Sequence, residues 1–299
     1  VKGTPDVPDA PTHQLGFLDR NHFLMRRLHS LTGIVPIGLF LIAHLTTNST
    51  IVWGAINKRA EMGLEFPENE RIFVRQVATF WKEVQFINEL PFLILIEIVL
   101  WLSIAFHAGL GFVYAFSGRG NTGRYKYMSN WRYALQRWSG YIGILFILYH
   151  VATLRWGWSF LVPGGVKWDH NEASATTAAA IQGGYDGMTA WGVAVSLFYL
   201  LGMSLLVFHF ANGLWTAAIT WGLTVTATAQ RRWGYVCAGL GAGLMVMGWA
   251  ATIGFMTLDV ERALLVEQAL VDKKEMYGDD GYDPVPKVDE VEDVGVGIE

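Results

Sequence analysis

Residues 26–45 read RRLHSLTGIVPIGLFLIAHL, and this stretch decides the fold. Two arginines precede an apolar run of the length a bilayer demands, about 20 residues. Deep inside the run sits His44. An ionisable side chain in a membrane helix is costly and marks a functional site by default. The pattern then recurs. Apolar stretches at roughly 90–116, 133–158 and 190–217 carry His107, His150 and His209, and a fifth, roughly 234–258, carries no histidine. Each of the four histidines lies a similar distance before the end of its span. Alternate helices of an up-and-down bundle run in opposite directions. His44 and His150 therefore fall near one membrane face, and His107 and His209 near the other. Each pair lies about 12–14 Å from its own helix ends, so two metal ions held this way would be about 15 Å apart. Two stacked bis-histidine sites are the arrangement expected of a two-haem electron carrier, with no coordination position left open for oxygen.

Bulk composition agrees with a membrane protein. Of 299 residues, 52% are hydrophobic and 16% charged, against about 25% charged in soluble domains. The predicted fold is all-α: an integral membrane bundle of five transmembrane helices around a haem-binding four-helix core. The first span is not a secretory signal peptide, since about 28 mostly polar residues precede it and no small-residue cleavage site follows. The lone Cys237 excludes an internal disulfide and reads as a small core residue. No Cys-x-x-Cys-His motif attaches a haem covalently, and no cysteine cluster can hold zinc or an iron–sulfur centre. Nothing points to nucleic acid, and no flavin or nucleotide fingerprint is present.

Three regions follow: an N-terminal inner-side arm, 1–29; the membrane domain, 30–258; and an acidic outer-side tail, 259–299. The segment RIFVRQVATFWKEV, residues 71–84, has helical apolar spacing and predicts an amphipathic helix lying on the membrane surface. The connection between spans three and four reads as a polar, glycine-containing loop. In the tail, DVERALLVEQALVDKKE (259–275) predicts a helix, and the remainder predicts an extended or disordered chain unless docked. Arg20, Arg26, Arg27, Arg119, Arg124, Lys126, Arg132, Arg231 and Arg232 flank the spans on one side. Acid on that side is limited to Asp6, Asp9 and Asp19, whereas the other side carries as many Lys and Arg mixed with nearly all the Asp and Glu. This basic excess places the N-terminus inside and the tail outside.

Glycines Gly33, Gly38, Gly109, Gly111, Gly140, Gly143, Gly202 and Gly213 thin the helix surfaces, either for a macrocycle or for close helix packing. His29 is 15 residues before His44, so about 22 Å from it along a helix, and cannot share its iron. It is placed to hydrogen-bond a propionate of the inner haem, or it is simply an interfacial histidine. Glu97 lies inside span two, about 15 Å outward of His107. It is read as a proton acceptor or relay beside a quinone, or as a buried, hydrogen-bonded acid. Glu89, at the mouth of the same helix, is a weaker candidate. His13, His22 and His170 lie in polar segments and read as exposed.

Local sequences add a resemblance. Residues 26–45, residues 106–151 (FHAGLGFVYAFSGRGNTGRYKYMSNWRYALQRWSGYIGILFILYHV) and residues 208–226 (FHFANGLWTAAITWGLTVT) resemble the di-haem cytochrome b subunit of succinate:quinone oxidoreductases and fumarate reductases. The likeness covers about residues 20–225. It implies two haem b groups, with distal ligands at His44 and His150 and proximal ligands at His107 and His209. It also implies propionate contacts at His29 and Ser30, with Arg27 beside them as a further cofactor contact. The implied partners are a flavoprotein subunit, an iron–sulfur subunit, a quinone (menaquinone) and the lipid bilayer of the cytoplasmic membrane. Electrons would run from the iron–sulfur partner to the quinone. Departures are the long first–second segment, the long third–fourth loop and the acidic tail. The rivals are a cytochrome b anchor of a hydrogenase or nitrate reductase, and a proton-coupled transporter, against which the lack of broken helices speaks.

Overall fold

A computed structural model describes residues 17–61, 63–117 and 128–277. Residues 1–16 of the N-terminal arm, the basic-loop residues Arg119, Arg124 and Lys126, and the tail from 278 onward lie outside the described residues, as does His13. The described chain is helical, with no strand among the described residues. Its α-helices are α1 (Phe17–Arg20), α2 (His22–Ile34), α3 (Pro36–Trp53), α4 (Arg71–Asn88), α5 (Leu93–Ser117), α6 (Met128–Leu154), α7 (Ala173–Gln182), α8 (Ala190–Thr220), α9 (Ala227–Thr257) and α10 (Val260–Tyr277).

Among the described residues, four helical stretches are long and apolar enough to cross a membrane: His22–Ile56, Leu93–Phe116, Ala190–Thr220 and Ala227–Thr257. α6, the expected third span, has the length, 27 residues, but its first half carries Arg132, Arg137 and other polar groups that dilute its apolar character. The first span bends where α2 meets α3. Pro36 has no N–H to donate, so one helical bond is lost there. Val35 keeps helical angles and donates to the Leu31 carbonyl (2.9 Å), so the chain kinks without unwinding.

The three segments expected to be separate outer features instead form one cap. α4, α7 and α10 pack together with the ends of α3 and α9 around a single apolar cluster that includes Ile51, Val77, Trp81, Ala178, Phe255 and Val266. The amphipathic face of α4 is thus covered by protein rather than lipid, because Val74, Val77, Ala78, Phe80 and Trp81 are all buried. The expected third–fourth loop contains a helix, α7, every residue of which is buried. Alanine, serine and threonine give this helix a narrow cross-section. Gly183, with φ 85°, ends it in a left-handed C-cap. The chain then turns into α8, where Gly192 lets the Gln182 carbonyl approach to 1.8 Å of where a Cβ would stand. Thr189 caps α8 by accepting from the Gly192 N–H (3.0 Å).

Polar ties complete the cap. Glu267 of α10 is fully buried. Its carboxylate accepts from the Ser174 and Ala175 N–H groups (2.6 and 3.1 Å), two otherwise unmatched donors in the first turn of α7. Burial pushes this carboxyl up to about 7, and the two N–H bonds oppose that shift only in part. Gln182 donates to the Phe255 and Leu258 carbonyls, both at 2.8 Å, where α9 gives way to α10. The cap sits at the end of the bundle reached by the C-terminal ends of α3 and α9, which is also the end nearer His44 and His150.

Candidate functional site

The structure pairs the four histidines as their depths predict. His44 on α3 faces His150 on α6, with ring centroids 5.6 Å apart and planes at 81°. His107 on α5 faces His209 on α8, with centroids 6.0 Å apart and planes at 76°. Histidine–metal bonds of about 2 Å on each side put the two ring centres roughly 6 Å apart. Both pairs therefore have the spacing of a bis-imidazole metal site. Among the described residues, no group of three or more His, Cys, Asp or Glu could hold a metal ion.

The pair at the α2 end is held by backbone. His107 Nδ1 lies 2.8 Å from the His29 carbonyl, and His209 Nδ1 lies 3.0 Å from the Gln136 carbonyl. A carbonyl can only accept, so each Nδ1 carries the proton and each Nε2 is left with its lone pair for a metal. This second layer fixes both tautomer and ring direction. A polar chain extends it: Arg132 donates to Asn212 (2.6 Å), Asn212 donates to Gln136 (2.8 Å), and Gln136 donates to the His209 carbonyl (3.1 Å). The Arg132 guanidinium also lies over the Trp215 ring, 4.2 Å from its centre. Sequence reading passed over Gln136 and Asn212. The available signal was two amides within spans, one of them four residues after Arg132.

The pair at the cap end is held less firmly. Asn48 donates to the His44 carbonyl (2.8 Å) and stands 3.4 Å from both ring nitrogens. His150 Nδ1 is 3.4 Å from the Tyr199 hydroxyl.

The glycines admit different neighbours. A Cβ on Gly33 would stand 2.5 Å from His107 Cε1, and one on Gly140 would stand 3.1 Å from His209 Cε1, so these two make room for histidine rings. Gly38, Gly143 and Gly202 instead receive Phe210, Leu206 and Phe146, which is helix packing. Gly111 and Gly213 have looser neighbours, 3.5 and 3.7 Å away, and Gly109 has none within 4 Å.

His29 stacks on His107, with centroids 3.9 Å apart and planes at 13°. Its Nδ1 and the Nε of Arg27 are buried without a hydrogen-bond partner. Ser30 donates to the Arg27 carbonyl (2.9 Å) and accepts from the Trp221 indole (2.9 Å). Buried donors rarely stay unmatched. His29 Nδ1, stacked beside His107, and Arg27 Nε, two residues earlier on α2, suit an anionic group such as a haem propionate when each carries a proton. Ligand spacing, free Nε2 atoms and unmatched donors thus all fit a haem b.

Glu97 and Glu89 are not brought together. Glu97 pairs with Arg155 (2.5 Å), the residue just past α6, and both side chains are partly exposed. Glu89 pairs with Lys274 of α10 beside a cleft of about 530 Å³ on the cap, which Trp81, Gln85 and His170 also line. His170 is half exposed, as expected of a polar segment.

A helical membrane protein with two facing histidine pairs, one towards each end of its bundle, falls in the class of membrane cytochromes b. The particular family follows from comparison. The chain is 32% identical over 236 residues to the succinate dehydrogenase cytochrome b558 subunit of Bacillus subtilis (strain 168), covering 78% of this chain and 97% of that protein. It belongs to that family of succinate dehydrogenase cytochrome b subunits. No protein-family model matches it, and no solved structure matches it.

Proposed function

We propose that the chain is the membrane subunit of a succinate dehydrogenase complex. It anchors a flavoprotein subunit and an iron–sulfur subunit and serves their reaction with menaquinone. The observation that carries the proposal is the pair of histidine sites, spaced for metal and placed at opposite ends of the bundle. His107 and His209 would hold the proximal haem b, with His29, Ser30 and Arg27 at its propionates. His44 and His150 would hold the distal haem b. When bound, these groups supply one-electron carriage between the iron–sulfur partner and the quinone. Dicarboxylate chemistry belongs to the flavoprotein, since this chain carries no flavin fingerprint.

The protein's own residues supply the rest. His107 and His209, each with Nδ1 held by a carbonyl, present Nε2 without rearrangement. Glu97, at the cap end, accepts or delivers a proton as quinone and quinol interconvert. Five spans are the natural count. α6 has 27 residues, about 40 Å of helix, and lies alongside α8, so it crosses whatever its partners cross. Its cap-end neighbours Trp101, Trp156 and Trp158 form an aromatic group of the kind found at membrane interfaces. Arg26, Arg27, Arg132, Arg231 and Arg232 flank the opposite end of the bundle with few acids beside them, whereas the cap end pairs its Arg71, Arg75, Arg262 and Lys274 with Glu61, Glu70 and Glu89. That asymmetry supports an N-terminus inside and a cap and tail outside, in the cytoplasmic membrane.

Purification through a tag on this chain tests the proposal. The expected companions are a succinate-oxidising flavoprotein and an iron–sulfur subunit, with haem bands that appear on adding succinate. Recovery of hydrogenase or nitrate reductase subunits, or of a haem-free protein, would contradict it.

A further inference from the structure

Glu97 is the one acidic residue of α5, and no lysine or arginine shares that helix. A charge in such a span needs a partner. The partner is Arg155, which follows His150 by five residues and so lies roughly 7–8 Å beyond it towards the cap. The pair bridges the seam between the start of α5 and the end of α6. One helical turn on from Glu97, Trp101 stacks on Trp156, the neighbour of Arg155, with centroids 5.5 Å apart and planes at 28°. The seam therefore holds a carboxylate, a guanidinium and a stacked indole pair at one level, opening sideways among exposed apolar side chains such as Ile94, Ile98 and Leu102.

We infer that Arg155 is a positioning residue for the quinone reaction: it aims the Glu97 carboxylate into this lateral seam, beside a Trp101–Trp156 surface suited to a flat quinone ring. The inference rests on the reading of Glu97 as the proton-handling group. Reduction of a quinone to a quinol takes two electrons and two protons. A carboxyl group aimed at a quinone oxygen can pass one of those protons at a time. A guanidinium stays charged and offers several N–H donors in a fixed plane, so it can hold the carboxylate in one orientation while other donors remain for a carbonyl. An ion pair that served only to staple α5 to α6 would do so equally well with its charges exchanged.

The test uses the whole complex in membranes, with succinate as donor and a short-chain naphthoquinone as acceptor. Glu97→Gln should lower kcat about tenfold, and Arg155→Gln by a similar factor with KM changed less than about twofold, with haem content and subunits intact. Arg155→Lys should recover activity to within about threefold of the parent, because the charge remains beside Glu97. Arg155→Gln combined with Glu97→Gln should be no worse than Glu97→Gln alone, rather than about 100-fold down, because the two act through one group. The exchanged pair Glu97→Arg/Arg155→Glu should assemble and stay slow. A multiplicative loss in the double variant, full turnover in the exchanged pair, or loss of haem or subunits on Arg155→Gln would overturn the inference. Normal turnover in Arg155→Gln beside a slow Glu97→Gln would sink the role of Arg155 alone. Normal turnover in Glu97→Gln would sink the proton-handling reading itself.

Discussion

Replacing Gly33 by alanine tests how the inner histidine pair is held. The added Cβ would stand 2.5 Å from His107 Cε1 and 2.9 Å from its Nδ1. Carbon atoms in contact sit about 3.5–4.0 Å apart, so the ring must retreat by about 1 Å. The same ring is tied through Nδ1 to the His29 carbonyl at 2.8 Å, one turn back on the helix that carries Gly33. A displacement of that size disrupts the bond, which is worth about 0.5–1.5 kcal/mol on its own. Loss of a second-layer partner to a metal-binding histidine typically costs 10–100-fold in metal affinity. That factor is about 1.4–2.8 kcal/mol. Gly33→Ala should therefore weaken or shift one haem component while leaving the other unchanged. The control is Gly239→Ala on α9, where nothing lies within 4 Å of the new Cβ. Optical redox titration of both variants reads the outcome. Two unchanged components in Gly33→Ala, or the same loss in Gly239→Ala, would refute the reasoning.

Asn212→Leu removes the link between Arg132 and Gln136 and leaves part-buried polar groups unmatched, at about 1 kcal/mol. The component assigned to His107 and His209 should become labile in detergent, as followed by haem retention, and an equal loss from both components would contradict this. Glu267 makes the cap sensitive to pH. Its folded value of about 7 lies above the ordinary 4.5. The folded state therefore keeps a proton that the unfolded chain releases. Its contribution to stability is complete below about pH 4.5 and is lost as pH rises through about 7, a change on the order of 3 kcal/mol. Hydrogen exchange in α7 and α10, corrected for intrinsic rates, should show protection falling over that window, and Glu267→Gln should flatten the trend. A slope unchanged by the substitution would exclude Glu267 as its source.

The histidine pairs were legible because span position alone sets depth, and depth in an alternating bundle sets which ligands can meet. Four of the expected spans were legible for the same reason: apolar length is a direct reading of bilayer thickness. The cap was not. α4 announced an apolar face through the spacing of Val74, Val77 and Trp81, but amphipathicity says only that something apolar covers a face, and here α7 and α10 do so. α7 escaped notice because Ala, Ser and Thr carry little hydrophobic signal, although a helix buried on all sides at close range needs such small side chains. Arg155 lies 58 residues from Glu97, near the end of the third span as read, so no local pattern joined them. The carbonyl bonds that set the tautomers of His107 and His209 come from backbone, which sequence does not display.

The central claim is that four histidines form two separate haem sites. The direct measurement is haem content per chain, together with reduced-minus-oxidised spectra, in the parent and in single alanine variants at His44, His150, His107 and His209. Two b haems per chain are expected. His44→Ala and His150→Ala should each remove one spectral component, and His107→Ala and His209→Ala the other. One haem per chain, or loss of a single component by both His44→Ala and His107→Ala, would contradict the account.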